Sequence, residues 1–333
     1  MANHISWGDI ELLHNVIRTQ KHFAAIPLEE GGRPLPKITY RAKIKLHGTN
    51  CAIQITPEGL FYQSRTMMLT PEADYKGFAR WAAGHTTILQ KLASGLTLFG
   101  EWAGPGIEKG MAISDVETKI FAVFAIQIGY GDSAQVIFGP VSIKALLGDN
   151  IPPNMYILPW QDDPIVVDFT SEESLASVAT EVNRRVELIE KEDPWVKRNF
   201  GISGLGEGIV LYPTAIEGGQ VPTHPEVLST YMWKAKGDKH RTAGTKEAAQ
   251  VSASVVASVD EFTTLMVTEP RLMQGLTTVS DGKRDPKLTG KFITWVTTDV
   301  KKESVAELEA SGLAWHQVEK AVQTRAREWF LKK

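Results

Sequence analysis

The sequence predicts an α+β protein with antiparallel sheets and a small, mainly helical C-terminal domain. Residues 38–47 alternate apolar and polar side chains, which is the period of a half-buried strand. Residues 171–191 repeat apolar side chains at three- and four-residue steps, which predicts an amphipathic helix. Residues 242–258 are mostly small and polar, and from Ser258 onward the apolar residues mainly have helical spacing. We therefore place a boundary near residue 243, with domains at 1–243 and 244–333.

Strands and turns account for most of the first domain. Residues 38–65 are predicted to form a β-meander with turns at 48–50 and 57–59. The long helix has Thr170 and Glu173 at the spacing of a capping box. Further strands are predicted at 96–102, 119–128, 208–212 and 231–236. Strands mixed with helices in this way are typical of the α+β class.

The composition is that of a globular protein. Hydrophobic residues make up 43% and charged residues 23% of the 333 residues, which is enough for a sizeable core. The net charge of −3 counts against a protein that coats nucleic acid nonspecifically. Local charge differs, because residues 281–333 carry 11 Lys and Arg against 8 Asp and Glu. A local basic groove is therefore compatible with the composition.

The sequence also indicates a cellular setting. The single Cys51 excludes an internal disulfide and a thiolate zinc cluster, which fits a reducing cytosol. No apolar run reaches the length of a membrane-spanning helix, and the first residues lack the pattern of a signal peptide. We therefore expect a cytoplasmic protein without a membrane partner, and a monomer by default.

The main chemical signal is the segment Lys45-Leu46-His47-Gly48-Thr49-Asn50. A lysine at a strand end, followed by a glycine turn, presents its amine at the rim of a sheet. Such an amine becomes nucleophilic only when its pKa falls below the usual value of about 10.4. Lys43, Lys234 and Lys236 are the candidate cations that would lower it. Taken alone, a K-x-x-G segment is more often a solvated strand lysine, so other motifs must decide.

The other motifs lie in one order along residues 45–236. They are Gln63-Ser64-Arg65-Thr66, Phe99-Gly100-Glu101-Trp102-Ala103-Gly104-Pro105-Gly106-Ile107, Phe121 to Phe124, Glu207-Gly208-Ile209-Val210-Leu211 and Lys234-Ala235-Lys236. With the Lys45 segment, this series resembles the nick-sealing RNA ligases of bacteriophage and the trypanosome RNA-editing ligases. Both belong to the covalent nucleotidyltransferase superfamily. The resemblance implies a nucleotidyltransferase fold whose antiparallel sheets flank an ATP pocket.

The resemblance also implies roles for individual residues. Lys45 would attack the α-phosphorus of ATP and carry AMP, while Lys234 and Lys236 would hold the α-phosphate. Nucleotide or end contacts would come from His47, Asn50, Arg65 and Glu101, with Glu101 on the ribose hydroxyls. Phe124 would stack on adenine, with Phe121 as the competitor. Glu207 would assist a divalent metal, Mg²⁺ or Mn²⁺.

The implied reaction is the ATP-dependent joining of RNA ends that carry a 3′-hydroxyl and a 5′-phosphate, in RNA repair. AMP would pass from ATP to Lys45, then to the 5′-phosphate, and leave when the 3′-hydroxyl attacks. The C-terminal domain, 244–333, would engage the RNA ends through phosphates. A phage or another virus acting in its host's cytoplasm would suit such an enzyme.

Two alternatives stay open at this point. One is a DNA ligase or a capping-type guanylyltransferase, against which the Phe99–Ile107 block and the helical C-terminal region argue. The other is a nucleic-acid end-binding protein that keeps the fold and has lost catalysis. The intact lysines and glutamates argue against that second alternative.

Overall fold

The computed structural model describes residues 3–237, 259–280, 282–304, 308 and 313–331. The chain divides into two compact units, Met1–Ala235 and Lys236–Lys333. The predicted boundary at residue 243 lies outside the described residues. The α+β class is confirmed, because the first unit combines antiparallel sheets with helices and the second unit is helical.

One sheet of the first unit has five strands in the order β1-β12-β11-β2-β10. The strands are β1 (Glu11–Leu12), β12 (Trp233–Lys236), β11 (Gly208–Ile216), β2 (Lys37–Lys45) and β10 (Gln161–Asp168). β2 pairs with β11 and with β10 in antiparallel fashion, and β1 pairs with β12 in parallel. β2, which has a paired strand on each side, ends at Lys45.

The other sheet has the order β5-β4-β3-β6-β7-β8, and a further strand, β9, pairs with β7. The strands are β5 (Met68–Leu69), β4 (Gly59–Ser64), β3 (Thr49–Thr56), β6 (Leu96–Ala103), β7 (Ile120–Ile128), β8 (Gln135–Ile137) and β9 (Met155–Ile157). β3 pairs with both β4 and β6 in antiparallel fashion. The Phe99–Ile107 block therefore begins on the strand next to β3.

The predicted β-meander over residues 38–65 is wrong at its first turn. β2 belongs to the first sheet and β3 to the second, and only β3 and β4 form the predicted hairpin. Alternating apolar residues predict that a segment is a strand but do not specify its neighbour, which long-range packing decides. The chain thus crosses from one sheet to the other between Lys45 and Thr49, and we call this segment the Lys45 turn.

Helices cover the sheets of the first unit. They are α1 (Leu13–Ala25), α2 (Phe78–Gly84), α3 (Thr86–Leu89), α4 (Pro140–Leu147), α5 (Glu172–Lys191), α6 (Pro194–Phe200) and α7 (Pro225–Ser229). The predicted capping box of α5 is wrong by one residue. Ser171 is the N-cap, and its side chain accepts a hydrogen bond from the Ser174 amide. Thr170 instead donates to the Asp168 carboxylate, so it is not available as a cap.

Two hydrophobic clusters form the core of the first unit. One contains Tyr40 from the first sheet together with Phe99 and Phe124 from the second sheet. The other contains Trp102 and Phe121 and packs the far face of the second sheet against α2 and α4. The face of the second sheet that carries Phe99 and Phe124 therefore looks toward the first sheet.

The second unit consists of helices around its own core. They are α8 (Val259–Met266), α9 (Glu269–Ser280), α10 (Thr289–Glu303) and α11 (Trp315–Leu331). Its core includes Phe262, Phe292, Val296 and Val322, each fully buried. Among the described residues of the whole chain, no helix is both long enough and apolar enough to span a bilayer.

Candidate active site

The Lys45 turn packs directly against the strand that carries Glu101. β2 ends at Lys45 and β3 begins at Thr49, so four peptide bonds take the chain between the sheets. A Cβ on Gly48 would lie 2.5 Å from the Trp102 carbonyl oxygen and 2.9 Å from the Ala103 Cβ. Carbon atoms do not approach backbone so closely without displacement. Glycine is therefore required here by contact with β6, which joins two motifs that are far apart in sequence.

Lys45 forms an ion pair with a buried carboxylate. Lys45 lies opposite Gly208 in the β2–β11 ladder, which places Glu207 beside it. The Lys45 Nζ lies 2.7 Å from Glu207 Oε1, and the His47 Nδ1 lies 3.3 Å from Glu207 Oε2. The Glu207 side chain is 5% exposed and that of Lys45 is 24% exposed. Both carboxylate oxygens thus hold the two ends of the Lys45–His47 turn.

Three further predicted residues lie in a row across the second sheet. Asn50 on β3 is paired with Glu101 on β6. Cys51 is paired with Ser64, so Arg65, the next residue after β4, follows on the other side of Asn50. The structure therefore brings Asn50, Arg65 and Glu101 together at those ends of β3, β4 and β6 that lie next to the Lys45 turn.

The carboxyl of Glu101 is strongly perturbed. Loss of solvation by burial raises the pKa of Glu101 to about 7, and the Glu207 charge adds to the rise. The positive charges of Lys45, His47 and Arg65 act in the opposite direction. Two carboxyl groups with different environments therefore share one site. Such perturbed groups cluster at functional sites.

Phe124 occupies a β-bulge. Phe99 pairs with Ala125 and Gly100 pairs with Val123, which leaves Phe124 as the extra residue on β7. The bulge withdraws the Phe124 carbonyl from the ladder with β6, and the Lys43 Nζ donates a hydrogen bond to it at 2.8 Å. Phe121, its competitor in the sequence, packs in the opposite core against Phe78 and Trp81. Only Phe124 of the two therefore lies on the face between the sheets.

Lys43 does not serve as the predicted cationic neighbour of Lys45. Its side chain is 1% exposed, and its Nζ lies 5.1 Å from the Trp160 ring centroid and 5.3 Å from that of Tyr212. Burial lowers the pKa of Lys43 well below its usual value. A low pKa works against the positive charge that the prediction required. The structure instead gives Lys43 the task of holding the Phe124 bulge.

The other two lysines lie on β12, which β11 separates from the strand of Lys45. Lys234 and Lys236 are two residues apart on this strand and are both partly buried. Their predicted role in holding the α-phosphate stays a prediction.

The sequence analysis missed an N-terminal strap, residues 3–9, which lies against this site. The Gln63 side chain both accepts from the Ile5 amide and donates to the Ile5 carbonyl, at 3.1 and 2.6 Å. Gln54 donates to the Asn3 carbonyl at 2.8 Å. Both glutamines are 1% exposed. Two buried amides on otherwise apolar strands were the available signal, because a buried amide needs a hydrogen-bond partner.

The strap brings two side chains to the predicted site residues. The Trp7 ring centroid lies 5.0 Å from that of Phe124 and 5.0 Å from that of Phe99. Asp9 forms an ion pair with Arg65, and both side chains are largely exposed. Trp7 thus packs on the candidate base platform, and Asp9 engages the arginine that is predicted to contact phosphate.

The site suits a metal ion only if the ion also has ligands outside the protein. Among the described residues, no group of three or more His, Cys, Asp or Glu side chains could hold a metal ion. Glu101 and Glu207 nevertheless face one site and interact electrostatically. Mg²⁺ is commonly bound through one or two carboxylates together with substrate phosphates and water. These residues therefore fit an ion that arrives with a phosphate ligand, and Glu207 as its ligand stays a prediction.

A scan against protein-family models identifies the family. The model described as RNA ligase matches residues 38–223, which is more than half of the chain. The matched region contains the Lys45 turn, Arg65, Glu101, Phe124 and Glu207. The chain belongs to the RNA ligase family. A search of curated protein sequences found no match.

Solved structures of an RNA ligase from Naegleria gruberi are similar to this chain. A lysine-to-alanine variant with ATP and Mn has 16% identity and a TM-score of 0.45, covering 72% of this chain and 58% of its own. A lysine-to-methionine variant with AMP and Mn has 17% identity and a TM-score of 0.45, with coverage of 72% and 60%. The chain therefore spans less than two thirds of these proteins' length.

Gly48→Ala is expected to destabilise the first unit and displace the Lys45 turn. The added Cβ would overlap the Trp102 carbonyl, and overpacking of this kind costs about 1–3 kcal/mol. Urea unfolding measures the loss. Gly84→Ala is the matched control. Gly84 is the last residue of α2, and a Cβ added there would meet no atom within 4 Å. Equal stability of Gly48→Ala and the control would contradict the close packing described for the turn.

Glu101→Gln is expected to change how stability depends on pH. Because the pKa of Glu101 is raised to about 7, the folded chain binds this proton more tightly than the unfolded chain does. Native stability therefore falls as the pH rises from about 4.5 to about 7, by at most about 3 kcal/mol for this group. Glutamine at position 101 has no charge to bury, so Glu101→Gln does not suffer that loss. The variant should therefore be more stable than the native chain at pH 8 and not at pH 5.

Urea unfolding in the presence of a chelator at the two pH values makes this comparison. The control is Glu58→Gln, because a hydrogen bond from Thr56 lowers the pKa of Glu58, so this carboxylate stays ionised at both pH values and the stability difference of Glu58→Gln from the native chain should be nearly independent of pH. A pH-independent difference between Glu101→Gln and the native chain would show that burial does not perturb this carboxyl.

Proposed function

We propose that this protein is an ATP-dependent RNA ligase that joins a 3′-hydroxyl end to a 5′-phosphate end through a lysyl-AMP on Lys45. The observation that carries the proposal is the ion pair of Lys45 with the buried Glu207, within a turn packed against Glu101. Membership of the RNA ligase family supports the substrate class. We further propose that the enzyme is of the phage or trypanosome type and that it repairs RNA. It would act as a monomer in the cytosol.

In the first step the Lys45 amine loses its proton and its nitrogen attacks the α-phosphorus. The N–P bond forms as the bond to the β-phosphate oxygen breaks, and pyrophosphate leaves. Glu207 is the base nearest to the amine, with its Oε1 2.7 Å from Nζ. Lys234 and Lys236 would stabilise the charge that develops on the phosphate oxygens.

The other residues would bind and orient the nucleotide. Glu101 would accept hydrogen bonds from the ribose hydroxyls, and Phe124 would stack on adenine. Arg65 would exchange its partner Asp9 for a phosphate, and His47 and Asn50 would order the turn. A divalent cation, Mg²⁺ or Mn²⁺, would neutralise phosphate charge when bound, with Glu207 as its protein ligand.

Incubation with α-³²P-ATP and Mg²⁺, followed by denaturing electrophoresis, is expected to label the native chain and not Lys45→Ala. The label should be acid-labile, as expected for a phosphoramidate. Lys144→Ala is the matched control, since Lys144 is an exposed helical lysine of the same unit. GTP in place of ATP tests the capping-type alternative. An unlabelled native chain, after treatment with pyrophosphate to remove bound AMP, would leave the inactive end-binding protein as the better reading.

Trp7→Ala is expected to weaken ATP binding with little change in the rate at saturating ATP. Trp7 packs on Phe124 and Phe99, and each aromatic pair contributes about 0.5–1.5 kcal/mol, so the KM for ATP should rise about tenfold. Single-turnover adenylylation of Lys45 at varied ATP measures both constants. Trp7→Phe retains a ring and should restore most of the affinity. An unchanged KM in Trp7→Ala would remove the strap from the nucleotide site.

A further inference from the structure

Lys43 has a buried amine whose capacity for hydrogen bonds is only partly used. In the part of the chain that the structure describes, its Nζ has one hydrogen-bond acceptor, the Phe124 carbonyl at 2.8 Å, and no carboxylate forms an ion pair with it. The Trp160 and Tyr212 ring centroids lie 5.1 and 5.3 Å from the same nitrogen. An ammonium group has three N–H donors and an uncharged amine has two, so at least one N–H lacks an acceptor. Buried donors of this kind normally have a partner.

The surroundings of Lys43 favour a neutral partner over a phosphate. Burial lowers the pKa of Lys43 well below its usual value. A phosphate is best bound by a cation, and the lysine that pairs with a carboxylate is Lys45, whose Nζ lies 2.7 Å from Glu207 Oε1. An amine that has lost its charge still donates hydrogen bonds to uncharged acceptors. We therefore expect the partner of Lys43 to be a neutral group that carries an acceptor.

The residues around Lys43 place this partner between the two sheets. Val210 lies directly opposite Lys43 in the β2–β11 ladder, so the two side chains share one face of the first sheet. Val210 and Phe124 are each 7% exposed, whereas Tyr212 and Phe99 on the same two faces are 2% and 0% exposed. The Lys43 amine meanwhile reaches the backbone of Phe124. A flat ring between Phe124 and Val210 would therefore have its edge beside the Lys43 amine.

We propose that Lys43 recognises the edge of the adenine that stacks on Phe124, by donating a hydrogen bond to N1 or N7. These are the ring nitrogens on either side of the 6-amino group. The Phe124 carbonyl, which has a second lone pair, would accept from that amino group. Guanine carries an oxygen in place of the amino group, so two acceptors would face each other. This inference rests on the proposed function and makes Lys43 a residue that selects the base.

The test compares ATP with analogues in which one ring nitrogen is replaced by a CH group. 1-deaza-ATP and 7-deaza-ATP keep the purine shape, the amino group and the phosphates. Single-turnover adenylylation of Lys45 without RNA gives a second-order rate constant for each nucleotide. The native chain should use one analogue at least about tenfold less efficiently than ATP, because the Lys43 N–H would lack its acceptor in a buried site. Equal use of ATP and both analogues by the native chain would overturn the proposal without reference to any variant.

Lys43→Met removes the N–H donor and keeps a long unbranched side chain. The variant should use ATP about tenfold less efficiently than the native chain, and it should use ATP and the affected analogue within about twofold of each other. If Lys43 only held the Phe124 bulge, the variant would lose efficiency equally with both nucleotides. The native preference for ATP over the analogue would then persist, and that result would overturn the proposal. Thermal unfolding checks that the variant is folded.

Lys119→Met is the matched control for this substitution. Lys119 directly precedes β7, and its Nζ donates to the Lys76 carbonyl at 2.8 Å. The same substitution therefore removes the same kind of bond within the same unit. Lys119→Met should keep the native preference for ATP over the analogue. Loss of that preference in both variants would show that it does not depend on contact with Lys43, and would also overturn the proposal.

Formation of lysyl-AMP separates failure of this inference from failure of the proposed function. A native chain that forms the lysyl-nucleotide equally well from ATP and from both analogues would remove Lys43 as a base contact and leave the ligase in place. A native chain that forms no lysyl-AMP from ATP would remove the proposed function, and this inference with it.

Discussion

The site depends on the close contact between the Lys45 turn and β6. The chain leaves one sheet at Lys45 and enters the other at Thr49, and Gly48 meets the Trp102 carbonyl on the way. Because there is no side chain at Gly48, the two sheets approach each other at this point. That approach sets the distance from Lys45 to Glu101, which lies on β6. The pairing of β2 with β11 independently brings Glu207 to the same amine.

Burial then gives the charged groups different properties. Glu207 is almost fully buried, but it is compensated by Lys45 and His47. Glu101 lies near the same cations and is nevertheless raised in pKa, because lost solvation outweighs their attraction. Lys43, two residues before Lys45 on the same strand, has the Phe124 carbonyl and two aromatic ring faces near its amine. Position along β2, rather than residue type, therefore decides that Lys45 pairs with a carboxylate while Lys43 is buried beside aromatic rings.

The sequence predicted those parts of the site that depend on local pattern. The strand that ends at Lys45, the glycine turn and the acidic residues at Glu101 and Glu207 each belong to a short motif. Features created by distant contacts were not accessible in the same way. The β2–β3 meander was wrong because alternation does not identify a strand's neighbour, and the bulge at Phe124 follows from pairing with Phe99. The strap depends on hydrogen bonds between residues more than fifty positions apart.

Hydrogen bonds from the second sheet give the strap, residues 3–9, a defined position beside the site. A short segment without regular structure loses conformational entropy when it is ordered, and its backbone polar groups need partners. Gln54 and Gln63 supply those partners from within the second sheet, and they also bond to each other at 2.6 Å. The two side-chain amides thus bond the strap backbone in the way that the backbone of a neighbouring strand would. The apolar contact of Trp7 with Phe99 and Phe124 contributes burial that offsets part of the lost entropy. The order of the candidate base platform therefore depends in part on Trp7, which lies outside the residues that the family model matches.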